Sequence, residues 1–287
     1  MTKLKKNRTL LILQETFSEY FKERAHFHAA TVSYYTLFSL IPLLYLAVAL
    51  FGYFFGETFC INAITAFFST YIGLKDVYVF TEYFKSINQQ SNSALLNFIM
   101  ILLLLYSCSA FMLAFKHSLN DFFDVEIKHS KKRIKIWKKI QVRFASVVQL
   151  TGIGSIIFIF YFVQLFLINV LSSRVSIPYT DFFLLHVFFP FVLNLVLIVV
   201  MFKFLQDGPL RWRFALVGAA VTSILLLISQ LCIKWYLHNY FLLGKSDLIG
   251  SVFILMAWVF YSVQVIFFGA KFTYIYHKFS SSKPYLP

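Results

Sequence analysis

Phe214-Ala215-Leu216-Val217-Gly218-Ala219-Ala220-Val221-Thr222-Ser223-Ile224-Leu225-Leu226-Leu227-Ile228-Ser229-Gln230-Leu231-Cys232-Ile233 is a run of 20 residues without one Asp, Glu, Lys or Arg. At ~1.5 Å per residue a helix of that length crosses the ~30 Å hydrocarbon core of a bilayer. Arg211 and Arg213 stand before the run and Lys234 stands after it. Outward from this stretch, five more charge-free runs of at least 20 residues follow the same pattern: Ala25–Gly56, Ser86–Phe115, Phe144–Ser173, Phe182–Phe202 and Leu248–Ala270. The chain is 60% hydrophobic and 13% charged, against about 25% charged in soluble domains. Backbone groups in lipid must pair within their own segment, which leaves helices for runs of this kind. A transmembrane barrel would show alternating segments of about 10 residues, and none is present. The expected fold class is therefore all-α: a polytopic membrane protein with six transmembrane helices. The spans fall at about 29–55, 93–115, 144–171, 182–203, 214–235 and 249–272, in a single domain 1–287.

The charges orient this bundle. Of 26 Lys and Arg, 21 lie in the alternate pieces 1–24, 116–143, 203–213 and 271–287. Only Lys75, Lys85, Arg174, Lys234 and Lys245 lie in the other pieces. Basic residues collect on the cytoplasmic side of spans, so both termini are expected inside, in a cell inner membrane. The net charge of +14 would suggest nucleic acid in a soluble protein. Here the inner pieces hold 21 basic and 7 acidic residues and the outer pieces 5 of each, so the whole excess faces the cytoplasm. The expected partners are membrane lipids with anionic headgroups, worth about 1 kcal/mol per basic residue near the surface, and not nucleic acid. In loop 116–143, Ile134, Trp137 and Gln141 mark one side of a helix and Lys131, Lys132, Lys135, Lys138 and Lys139 populate the rest. That is the pattern of an amphipathic interfacial helix touching anionic lipid. Residues 9–24, with Leu10, Leu13, Phe17 and Tyr20 at helical spacing, read as a second one. The outer loop 57–85 is so rich in aromatic and apolar side chains that short helices over the outer mouth of the bundle are expected.

No charge sits in the middle of any run, so the proton relay of a coupled pump is missing. What the spans offer is mild polarity at helical spacing. Candidate cavity-lining residues are Tyr35, Ser39 and Pro42 in the first span, His186, Pro190 and Asn194 in the fourth, and Ser251, Trp258 and Ser262 in the sixth. Gly218, Thr222 and Ser229 share a face of the fifth span. Such rows serve equally as the small-residue, hydroxyl-bearing seams along which membrane helices pack. No catalytic residue and no metal or cofactor site is expected. Asp121, Asp124 and Glu126 adjoin a Lys-rich stretch and read as a solvated loop, and no glycine-rich phosphate loop is present. Cys60, Cys108 and Cys232 show no pairing pattern.

The stretch Ala29-Ala30-Thr31-Val32-Ser33-Tyr34-Tyr35-Thr36-Leu37-Phe38-Ser39-Leu40-Ile41-Pro42 resembles the opening of the YihY/BrkB family of inner-membrane proteins. So do Arg211-Trp212-Arg213 followed by Gly218-Ala219, Tyr236 with Asn239, and Gly250-Ser251 with Trp258, Tyr261 and Gly269-Ala270. The resemblance covers nearly the whole chain. It implies a six-span inner-membrane protein, and some members of the family are associated with resistance to host killing or with lipid export. An old ribonuclease label attaches to others, and nothing in these residues supports it. Two positions depart from the family pattern: Ile249 stands where Tyr usually precedes the glycine of the last span, and Lys271 stands where Glu usually follows the Gly-Ala pair. The function expected from residues and resemblance together is a transporter or lipid-handling protein without enzymatic activity. The alternative is a non-transporting scaffold that binds a partner.

Overall fold

The computed structural model describes residues 2–67, 94–125, 137, 141–146, 148–149, 152–157, 159–160, 163, 188–240 and 248–281. Among them the regular structure is helical throughout. The elements are α1 (Thr2–Lys22), α2 (Ala25–Phe55), α3 (Glu57–Phe67), α4 (Ala94–Phe122), α5 (Phe189–Val200), α6 (Trp212–Tyr240) and α7 (Leu248–Ser281). A π-helical turn, Met201–Leu205, extends α5. Pro190 falls in the first turn of α5, a position at which helices accept proline. Helix α3 occupies the start of segment 57–85; residues 68–85 of that segment lie outside the described set. Several helices outlast their charge-free runs. α4 continues to Phe122 and α7 to Ser281.

Helix α7 is the hub, packed against α6, α2, α1 and α4, while α2 also packs on α4 and α5 on α6. Helical periodicity selects the buried faces. Ala25, Ala29 and Val32 of α2 meet Met112, Phe115, Leu119 and Phe122 of α4 and Val263, Phe267 and Ala270 of α7 in one core. Phe122 stacks on Phe267 at 4.7 Å between ring centroids. Against α7, α6 uses the smallest side chains it has. A Cβ placed on Gly218 would lie 1.8 Å from Thr273 Oγ1, and one on Gly269 would lie 1.8 Å from Thr222 Oγ1. The two hydroxyls donate back to their own helices, Thr222 to the Gly218 carbonyl at 2.7 Å and Thr273 to the Gly269 carbonyl at 2.6 Å. The seam is therefore reciprocal: each helix presents a glycine to the other's threonine, four residues apart, in antiparallel register.

Two helices among the described residues are long and apolar enough to cross a membrane, Trp212–Ile233 and Phe253–Ser280. On α6, Val217, Ile224, Ile228, Leu231 and Trp235 point outward, a stripe suited to hydrocarbon and not to water. Helix α1 splits its apolar residues between two faces. Ile12 and Thr16 are buried and Tyr20 is half-buried, with Tyr20 edge-on to Phe268 of α7 at 5.5 Å. Leu10, Leu13, Phe17 and Phe21 are exposed.

Candidate functional site

Polar chemistry gathers at the α1 end of the bundle, around one buried cation. Lys271 of α7 has 1% of its side chain exposed. Two reversals of the chain bring carboxylates to it. Arg24, between α1 and α2, and Asp124, just past α4, both adopt the left-handed conformation with φ 50°. That region costs a non-glycine residue about 1–2 kcal/mol, so surrounding contacts must hold both corners. The first corner presents Glu23, whose Oε1 accepts a short charge-assisted hydrogen bond from Lys271 Nζ. The second presents Asp124, with Oδ2 3.8 Å from the same nitrogen. The Tyr274 ring lies 5.0 Å from Nζ and covers a further side. Burial pushes the Glu23 carboxyl above its ordinary range, and the hydrogen bond and charge of Lys271 offset only part of this. Glu23 Oε2 is buried with no hydrogen-bond partner among the described residues. Both carboxylates thus converge on one lysine, and Asp124 also accepts a hydrogen bond from the Tyr274 hydroxyl.

Next to this cluster the α5–α6 corner is tied to α4. Asn120 donates from Nδ2 to Asp207 Oδ2 at 3.0 Å and accepts from the Asp207 N–H at 2.9 Å. Lys116 pairs with Asp207 at 2.7 Å. Burial alone would raise the Asp207 carboxyl, but the hydrogen bonds from Lys116 and Asn120 outweigh it and hold the group below its ordinary range. Gln206 closes the turn onto Gly208, donating to its carbonyl and accepting from its N–H, each at 3.0 Å. A side chain at Gly208 would come within 2.9 Å of Val125. On the outer flank of the corner lies an open cleft of about 660 Å³, lined by Lys203, Pro209, Leu210, Arg211, Trp212 and His277.

Among the described residues, no three His, Cys, Asp or Glu side chains come together as metal ligands. A family model for the virulence factor BrkB matches residues 16–285. The chain belongs to the BrkB family. No curated protein and no solved structure matches it. The matched region runs from α1 to beyond α7, so it includes the Lys271 cluster, the α5–α6 corner and the cleft. Family membership and apolar helices together make this BrkB chain an integral membrane protein.

The residues singled out from sequence are distributed over this BrkB fold as follows. Tyr35 is half-buried and Ser39 buried on α2, where the Ser39 hydroxyl donates to the Thr36 carbonyl of its own helix at 3.1 Å. Asn194 is half-buried on α5, which packs on α6 and not among the chief partners of α2. Trp258 and Ser262 share a face of α7, and Trp258 Nε1 and Ser262 Oγ are both buried without a hydrogen-bond partner among the described residues. The side chains of Pro42, Pro190 and Ser251, and the whole of His186, lie outside the described set, as do Lys131, Lys132, Lys135, Lys138 and Lys139. Asp121 falls in the last turn of α4, 3.9 Å from His28, and Asp124 turns toward Lys271. Asp124 is therefore a partner in an ion cluster, which its loop-like, Lys-rich neighbourhood hid. In the sequence Lys271 stands out only as a departure from the family pattern. The available signal was Phe272, Tyr274, Ile275 and Tyr276 after it, an apolar continuation that carries α7 past the charge.

Proposed function

We propose that this BrkB-family protein is a six-span protein of the inner membrane, with both termini cytoplasmic, that handles amphiphiles and moves or holds lipid headgroups at the bundle. The observation that carries the proposal is the pair Trp258 Nε1 and Ser262 Oγ, buried one helical turn apart on α7 without a hydrogen-bond partner among the described residues. An unsatisfied buried donor costs about 1–3 kcal/mol, and native proteins retain few of them. A polar headgroup passing along α7 would satisfy both groups while its chains stay in hydrocarbon. Tyr35, Ser39, Pro42, His186, Pro190, Asn194 and Ser251 are the further residues offered for such a path.

A non-transporting scaffold is the second candidate, and the Gly218–Thr273 and Gly269–Thr222 contacts favour it locally, since they leave no passage between α6 and α7. Purified protein reconstituted into vesicles with headgroup-labelled lipids separates the two. Amphiphile handling requires headgroup movement above that of empty vesicles, reduced severalfold by Trp258→Phe combined with Ser262→Ala. Absence of movement across several lipid classes would leave the scaffold.

A further inference from the structure

We propose that the cleft flanking the α5–α6 corner binds the phosphate of an anionic lipid, with the acyl chains lying along the outer face of α6. The proposal gives a ligand class to the amphiphile function above and rests on it only for the membrane setting. Three of the six lining residues, Lys203, Arg211 and His277, carry or can accept a positive charge, and no carboxylate lines the cleft. The acid of the same corner, Asp207, is already matched by Lys116 and Asn120. The basic groups are held in place. Lys203 Nζ donates to the Leu210 carbonyl at 2.5 Å and sits 5.5 Å from the Trp212 ring centroid. The His277 ring packs edge-on to Phe214 at 4.6 Å. Arg211 is exposed at the rim, where its planar guanidinium can close on two phosphate oxygens at once. A volume of about 660 Å³ falls within the usual range for small-molecule sites and admits a phosphodiester headgroup.

The same chemistry would serve a free phosphate ion, and the surroundings favour a lipid. Trp212 lines the cleft and is half exposed, edge-on to the outward-facing Phe204 at 5.9 Å. From there Leu216, Val217, Ile224, Ile228 and Leu231 continue the exposed apolar face of α6 to Trp235. Trp212 and Trp235 are separated by ~35 Å of helix, close to the ~30 Å hydrocarbon thickness, and tryptophan favours the two membrane interfaces. The cleft therefore lies at headgroup depth, with a chain-length apolar track leading away from it.

The test uses the full-length protein in phosphatidylcholine vesicles doped with bromine-labelled phosphatidylglycerol or bromine-labelled phosphatidylcholine at equal fractions. Quenching of the Trp212 fluorescence is isolated by difference from Trp212→Phe. Phosphatidylglycerol should quench Trp212 at least about threefold more strongly than phosphatidylcholine. Arg211→Gln should abolish most of that preference, and Arg211→Lys should keep part of it. Equal quenching by the two lipids, or a preference untouched by Arg211→Gln, overturns the site. Displacement by millimolar inorganic phosphate as effective as by phosphatidylglycerol overturns the lipid assignment. Selective quenching without headgroup movement would keep this site and remove the transport function, whereas movement without selectivity would do the reverse.

Discussion

Lys271 shows how far one residue's setting can depart from its sequence context. Counted along the chain it is one more basic residue at an inner boundary. In three dimensions it is enclosed by Glu23, Asp124 and Tyr274. A charge tally has no means to tell a solvated lysine from a buried one, because burial depends on where α1 and α4 end relative to α7. Breaking a buried ion pair from one side leaves an uncompensated charge and costs about 3–5 kcal/mol, whereas replacing both partners with neutral groups is often tolerated. Lys271→Met should therefore lower the thermal unfolding midpoint of the purified protein sharply. The double variant Lys271→Met, Glu23→Gln should recover most of the loss in a double-mutant cycle. Additive losses would mean that the two side chains do not act as a pair.

At the level of elements, the helices were legible because length without charge is a strong signal, and α2, α4, α5, α6 and α7 each overlap an expected run. Their ends were less so, since an aromatic-rich helix can continue past the first charged residue when that residue finds partners. The face of α1 was also only half legible. Leu10, Leu13, Phe17 and Tyr20 share helical spacing, yet Leu10 and Leu13 face outward, Phe17 is exposed while its edge meets Phe268 of α7, and Tyr20 turns toward α7. Periodicity locates an apolar face without saying which neighbour covers it. The α6–α7 seam gives a prediction at this scale. Gly218→Ala would drive a methyl into Thr273, and overpacking of this kind costs about 1–3 kcal/mol. A second change, Thr273→Gly, should restore most of the lost thermal stability by exchanging the two sides of the contact. A Gly218→Ala protein as stable as the parent would show that the helices do not meet this closely.

For the whole molecule, the alternation of basic and charge-poor segments predicts an orientation open to direct measurement. With Cys60, Cys108 and Cys232 replaced by serine, Ser280→Cys should react with a membrane-impermeant maleimide in inverted vesicles and not in intact cells. Thr58→Cys should show the opposite pattern, and reversal of both would refute the inside placement of the termini. The cleft was not legible in sequence because it is assembled from Lys203, the 209–212 corner and His277, segments that only the packing of α5, α6 and α7 brings together. The same packing limits how the molecule can move. Two glycine–threonine contacts, one turn apart and reversed in sense, work like a pair of dowels. Sliding α6 along α7 by less than a whole turn, ~5.4 Å, would drive a threonine into the helix backbone that the opposite glycine now leaves open. The pair is therefore a single lever. Any motion along this seam carries α6 and α7 together, and with them Trp212 and His277, which the two helices contribute to the cleft.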